Sequence, residues 1–244
     1  MTRLAGWDES TFTAAGSTFP TYRKGTGPGV VIVHEIPGIT PSVQAFAQEV
    51  VDAGFTVVMP SLFGTPGVPF GAAAVAKAMV RVCISKEFVA LATHATSPVT
   101  GWLRGLAASL HAELGGPGVG ALGMCATGGF ALAMMLDGHV AAPVLCQPSL
   151  PFAIGSDRGA DLGLSPADLV TVKEQVAAGC PVLGLRYASD KAVGTRFETL
   201  SRELGAGFLH VDLPGKGHST VTEHRDEQSV QRVIDFFHTR LDAR

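Results

Sequence analysis

"GALGMCATGGFALAMML", residues 120–136, sets two unlike halves on either side of one cysteine. Before Cys125, "VGALGM" is a short apolar run bracketed by glycines, the pattern of a buried strand. After it, "ATGGFALAMML" is rich in Ala, Leu and Met and reads as a buried helix. A thiol at a tight strand-to-helix corner, with small neighbours at Gly123, Gly128 and Gly129, has the form of a nucleophile elbow. The helix start behind it offers free N–H groups and a partial positive charge, which favour a thiolate or an oxyanion. A single cysteine is more often a small buried hydrophobe, so the reading depends on finding partners.

Outward from the corner the chain alternates. "GVVIVHE" (29–35), "FTVVMP" (55–60), "VAAPVLC" (140–146), "PVLGLRY" (181–187) and "GFLHVDL" (207–213) read as strands. Helices are expected at 41–54, at 97–114 with Ser97 as N-cap, at 165–179, at 191–204 and at 226–241. Residues 1–28 suggest an N-terminal hairpin or irregular edge. Strands joined through helices pair in parallel. The expected fold class is therefore α/β, a single domain over 1–244 whose doubly wound, mostly parallel sheet has helices on both faces. Ligands belong at the carboxyl ends of its strands.

Composition narrows the function. The chain has 244 residues, 46% hydrophobic and 16% charged, with a net charge of −3. No run of like charges suggests a nucleic acid or a membrane surface as partner. "MTRLAGWDES" lacks the apolar region of a signal peptide, which points to a cytoplasmic protein. Cys83, Cys125, Cys146 and Cys180 are widely spaced, so neither a disulfide framework nor a zinc motif is expected. His34 and Glu35 are adjacent, and no ligand pair at helical spacing accompanies them, so the expectation is no metal and no cofactor.

In hydrolases built on such an elbow the order is nucleophile, acid, histidine. Asp190 follows the strand ending "GLRY", and His218 lies in "LPGKGHST" after the last strand. Asp212 competes with Asp190 but lies within the last strand. The other histidines fall in helical, strand or unassigned stretches, where packing or solvent is the simpler role.

These features resemble the dienelactone hydrolase family of the α/β-hydrolase fold. The likeness runs over most of the chain and rests on "HEIPG" after the first core strand, "GMCATGG", and the ordered Asp and His. It implies a Cys-His-Asp triad of Cys125, His218 and Asp190. It also implies Glu35 as an auxiliary carboxylate contacting the resting cysteine, and backbone N–H groups of Ile36 and Ala126 as the oxyanion hole. The implied activity is carboxylic ester or lactone hydrolysis, carboxymethylenebutenolidase-like, through a thioester acyl-enzyme on a small-molecule substrate. The chain departs from the family pattern at Thr127, where the elbow usually has glycine, and at Thr222, where dienelactone-cleaving members carry a substrate-binding arginine. Arg81, Arg104 and Arg225 are the remaining candidates for a substrate carboxylate, with a surface role as the alternative for each. The segment 81–107 and the loop 147–164 are expected to shape the pocket.

A carboxylate beside the thiol disfavours the thiolate, which suggests a resting thiol that ionises when substrate displaces Glu35 and therefore reacts slowly with iodoacetamide. Two other readings use the same residues: a non-catalytic scaffold with a redox-sensing or ligand-binding cysteine, and an acyltransferase. Either a monomer or a homodimer fits the sequence.

Overall fold

The structure is a computed structural model that describes residues 4–86, 88 and 92–242. The elbow's strand lies in the middle of an eight-stranded sheet of order β1-β2-β4-β3-β5-β6-β7-β8. β1 (Asp8–Ala14) and β2 (Ser17–Lys24) form a hairpin whose two turn residues, Ala15 and Gly16, both have positive φ, as a two-residue turn matched to strand twist requires. β2 runs antiparallel to β4 (Thr56–Pro60). From β4 outward through β3 (Gly29–Val33), β5 (Val119–Met124), β6 (Val140–Cys146), β7 (Val182–Tyr187) and β8 (Phe208–Leu213), every pair is parallel. This is the α/β-hydrolase arrangement.

Both faces of the sheet are covered, so its central strands are continuously apolar. Successive residues of β3 serve opposite sides. Val31 and Val33 pack with Trp102, Leu103 and Phe130, whereas Val30 and Ile32 pack with Phe46, Val233 and Phe237. The first set belongs to the side of α3 (Val99–Leu114) and α4 (Phe130–Met134). The second belongs to α1 (Pro41–Asp52) and α8 (Glu227–Leu241). α2 (Ala72–Ile84), α5 (Ser156–Ala160), α6 (Pro166–Ala177) and α7 (Arg196–Leu204) complete the chain. Thr40, Ser165 and Asp226 cap α1, α6 and α8 through side-chain oxygens that accept backbone N–H groups.

Two expectations are corrected. Ser97 does not cap α3; its hydroxyl donates to the carbonyl of Phe88 at 2.7 Å, and Pro98 occupies the cap position. The helix after the elbow is also not continuous. A 3₁₀ turn at Cys125–Thr127, the short α4, and a second 3₁₀ turn at Met135–Asp137 share that stretch. Gly128 and Gly129, both with right-handed helical backbone, stand between the first 3₁₀ turn and α4.

One buried charge organises the long loop after β6. Arg196, at the start of α7, is 1% exposed. Its guanidinium donates to the carbonyls of Asp161 (2.8 Å), Arg158 (2.7 Å), Val193 (2.8 Å), Ala192 (3.3 Å) and Pro151. Burial pushes it down to about 10, partly offset by the charge of Asp161. In the segment 81–107, residues 87 and 89–91 lie outside the described residues.

Candidate active site

Cys125 sits directly after β5 at φ 52°, a left-handed conformation that a non-glycine residue rarely adopts. Three features hold it there. Gly123 lies against the Thr127 carbonyl, 2.1 Å from where a Cβ would stand, and Gly128 lies against Pro148 and the Cys146 carbonyl. The Cys125 carbonyl accepts the Ser149 N–H at 2.9 Å, which ties the turn to the loop after β6. Thr127, at the position usually held by glycine, does more than fit. Its Oγ1 accepts the Met124 N–H at 3.1 Å, and its proton faces the carbonyls of Val33 (3.0 Å), His34 (3.1 Å) and Met124 (3.0 Å). One buried hydroxyl therefore pins the elbow to the end of β3.

Thr127→Val keeps the shape and removes these bonds. It is expected to cost about 1–3 kcal/mol, the penalty for stranding buried polar groups. Urea unfolding should show a lower midpoint at unchanged slope; an unchanged midpoint would mean that packing alone holds the turn.

The partners arrive from separate strand ends. Asp190 follows β7, with its Oδ1 accepting the Ala192 N–H at 3.0 Å. Its Oδ2 accepts from His218 Nδ1 at 2.7 Å, which leaves Nε2 for Cys125. The His218 loop is fastened in turn: Thr220 donates through N and Oγ1 to Gln147 Oε1 at 3.2 and 2.9 Å, and Ser189 Oγ donates to the Gly215 carbonyl at 2.8 Å. Burial alone would push the His218 imidazole down, but its bonds to Asp190 and Cys125, and their charges, raise it to about 10. Asp212, the competing carboxylate, instead accepts from Arg186 Nε at 2.6 Å.

Glu35 is 2% exposed. One ligand atom each from Glu35, Cys125 and His218 lies within 4.8 Å of the other two. Ser219 Oγ donates to Glu35 Oε2 at 2.7 Å, and Thr222 Oγ1 donates to Oε1. Thr222 thus binds Glu35 at the position where the family pattern has an arginine. Burial pushes the Glu35 carboxyl up, while the two hydroxyls and the charge of His218 pull it back. Sequence reading missed the roles of Ser219 and Thr222, although the hydroxyl-rich "HSTVT" after the histidine was the available signal.

His34 packs edge-on against Phe63 and bonds to backbone on both sides of its ring. Nε2 accepts the Leu62 N–H at 3.1 Å, so Nδ1 carries the proton and donates to the Glu35 carbonyl at 3.0 Å. Burial pushes it down to about 4, so it is neutral.

Beside the elbow is a small crevice of about 10 Å³, lined by Ala126, Phe88, Phe130, Leu150, Leu162 and Ser97 among others. Ile36 lies in the loop after β3, and Ala126 follows the cysteine. The three candidate arginines are not among the lining residues. Arg104 Nε meets Asp137 at 3.1 Å, Arg225 pairs with Glu49 and Glu227 at 2.7 Å each, and Arg81 is exposed on α2. Among the described residues no helix is long and apolar enough to cross a membrane.

The same architecture recurs in solved structures. A dienelactone hydrolase from Anabaena variabilis ATCC 29413 superposes with a TM-score of 0.68 at 16% identity, covering 97% of this chain and 98% of that one. A dienelactone hydrolase-like promiscuous phosphotriesterase from metagenomic libraries gives 0.67 at 16% identity, covering 97% and 98%. A cold-adapted esterase from an Arctic intertidal metagenomic library gives 0.63 at 16% identity, covering 99% and 100%. At such identities these matches speak for the fold. A search of curated proteins found no match. The sequence profile of the dienelactone hydrolase family matches residues 17–241, and with that match spanning nearly the whole chain, this protein belongs to the dienelactone hydrolase family of hydrolases.

Proposed function

We propose that the chain hydrolyses small, neutral carboxylic esters or lactones through a thioester on Cys125. The observation that carries this reading is a cysteine held at positive φ on the elbow, facing a histidine whose far nitrogen is bonded to Asp190 at 2.7 Å. The thiolate attacks the carbonyl carbon, and the backbone N–H groups of Ile36 and Ala126 receive the developing oxyanion. One such donor is worth about 3 kcal/mol in the transition state. His218 gives its Nε2 proton to the leaving alkoxide, while Asp190 stays ionised and supports the imidazolium. The neutral imidazole then takes a proton from water, which attacks the thioester and releases the acid and the thiolate. With a lactone the alkoxide stays tethered and leaves as part of a hydroxy acid.

Glu35 does not have to be displaced in this scheme. It is fastened by Ser219 and Thr222, and burial favours its neutral form. Against the pull of burial, bonds to Asp190 and Cys125 raise His218 to about 10, so the imidazolium is its majority form at pH 7. Fast, stoichiometric alkylation of Cys125 by iodoacetamide at pH 7 would exclude a resting thiol that waits for Glu35 to be displaced. Slow alkylation would restore a resting thiol with a displaceable Glu35.

The largely apolar crevice beside the elbow has no arginine in its lining, which supports a neutral substrate. A carboxylate moved into such a wall without a partner loses several kcal/mol of solvation. Small neutral esters and lactones are therefore expected to exceed carboxylate-bearing analogues in kcat/KM by tenfold or more. A panel of p-nitrophenyl acetate, small lactones and an acid-bearing dienelactone tests this; preference for the acid would overturn the neutral-substrate reading.

A further inference from the structure

We propose that the site also takes one thiophilic divalent ion, zinc above all, on Cys125 Sγ, His218 Nε2 and a Glu35 oxygen, and that this ion switches hydrolysis off. The proposal shares its residues with the hydrolase reading, and its inhibition arm rests on that reading, but ion binding is measured without turnover.

The geometry is close to a ready-made three-ligand set. The three ligand atoms already lie within 4.8 Å of one another. Tetrahedral zinc, with bonds of about 2.3 Å to sulfur and 2.0–2.1 Å to nitrogen and oxygen, needs edges of roughly 3.3–3.6 Å. The remaining gap, on the order of an ångström, is left for side-chain adjustment to close. Among the described residues no other group of three His, Cys, Asp or Glu gathers its ligand atoms in this way.

The surroundings suit a metal as well as a proton. Asp190 holds His218 Nδ1 at 2.7 Å, fixing the ring with its Nε2 lone pair available, the carboxylate–imidazole support typical of bound zinc. Ser219 and Thr222 orient Glu35, and each carboxylate oxygen keeps a second lone pair for an ion. Thiolate with imidazole selects zinc or cobalt over magnesium or calcium. Three protein ligands leave a fourth position for water. The ligands come from the ends of β3 and β5 and from the loop after β8, so no sequence motif announces them.

Binding expels the proton shared by Sγ and Nε2, and the Glu35 proton when that carboxyl is neutral; no electron moves. With both the sulfur and Nε2 ligated, neither nucleophile nor base remains.

Cobalt titration of chelator-washed protein tests the assignment through the thiolate-to-cobalt charge-transfer absorption. One equivalent is expected to bind, with zinc displacing it. Cys83→Ser, which removes an exposed thiol, should leave the band unchanged. Cys125→Ala should abolish it, and Glu35→Gln should weaken binding at least tenfold. A band that survives Cys125→Ala, or Glu35→Gln binding as tightly as the parent, overturns the proposal. In parallel, micromolar free zinc should stop ester turnover and EDTA should restore it. Turnover insensitive to zinc would sink this proposal alone, whereas metal binding without any ester turnover would sink the hydrolase reading alone.

Discussion

Cys125→Ala should lower ester turnover by about 10⁴-fold or more while leaving the fold intact, because removing a nucleophile disables its whole triad. The substitution deletes one partly exposed sulfur and keeps Cβ, so circular dichroism and the urea midpoint should stay close to the parent's. What remains would be the background supplied by the two backbone donors and by binding. Measured on p-nitrophenyl acetate, a folded variant as fast as the parent would mean that the sulfur is not the nucleophile. The scaffold with a redox-sensing or ligand-binding cysteine would then lead.

The second large effect is structural. Gly123→Ala should destabilise the protein by more than about 4 kcal/mol, beyond the range of ordinary substitutions. A Cβ at that position would stand 2.1 Å from the Thr127 carbonyl oxygen and 2.9 Å from its carbon. Backbone cannot yield as a side-chain tip does. The hydrogen bonds from Thr127 to β3 lock the same turn from the other side, so relief would have to break them. Insoluble protein, or soluble protein with a strongly lowered urea midpoint, is the expected outcome. A parent-like midpoint would show that the corner reshapes cheaply.

The fold was readable because short apolar strands alternate with helices along the chain, and three of those helices begin at capping side chains. Thr40, Ser165 and Asp226 behave as local chemistry requires. Ser97 misled, since a hydroxyl before a proline satisfies the rule for a cap, yet here it reaches back to Phe88. The order Cys125, Asp190, His218 was legible because strand ends in a parallel sheet meet on one edge. Contacts between residues far apart in the chain were not. Thr222 and Ser219 meet Glu35 across more than 180 residues, and nothing local marks a hydroxyl as a carboxylate donor. The candidate arginines illustrate the converse: Arg104 and Arg225 stand at plausible positions along the chain, but packing gives them to Asp137 and Glu49, and Arg225 also pairs with its near neighbour Glu227.

Arg196 has a consequence for how this pocket can change over evolutionary time. Its charge is met by main-chain oxygens of residues 151, 158, 161, 192 and 193, and every amino acid supplies such an oxygen. Much of the anchoring of the wall beside the elbow is therefore independent of its own side chains. Residues facing the crevice can be exchanged while the loop keeps its course, so new substrate preferences are open to selection without a new fold having to be found. The guanidinium is one exception that drift cannot spare, and the buried Asp161 carboxylate, which accepts the N–H groups of His94 and Gly163 at 2.7 Å each, is another.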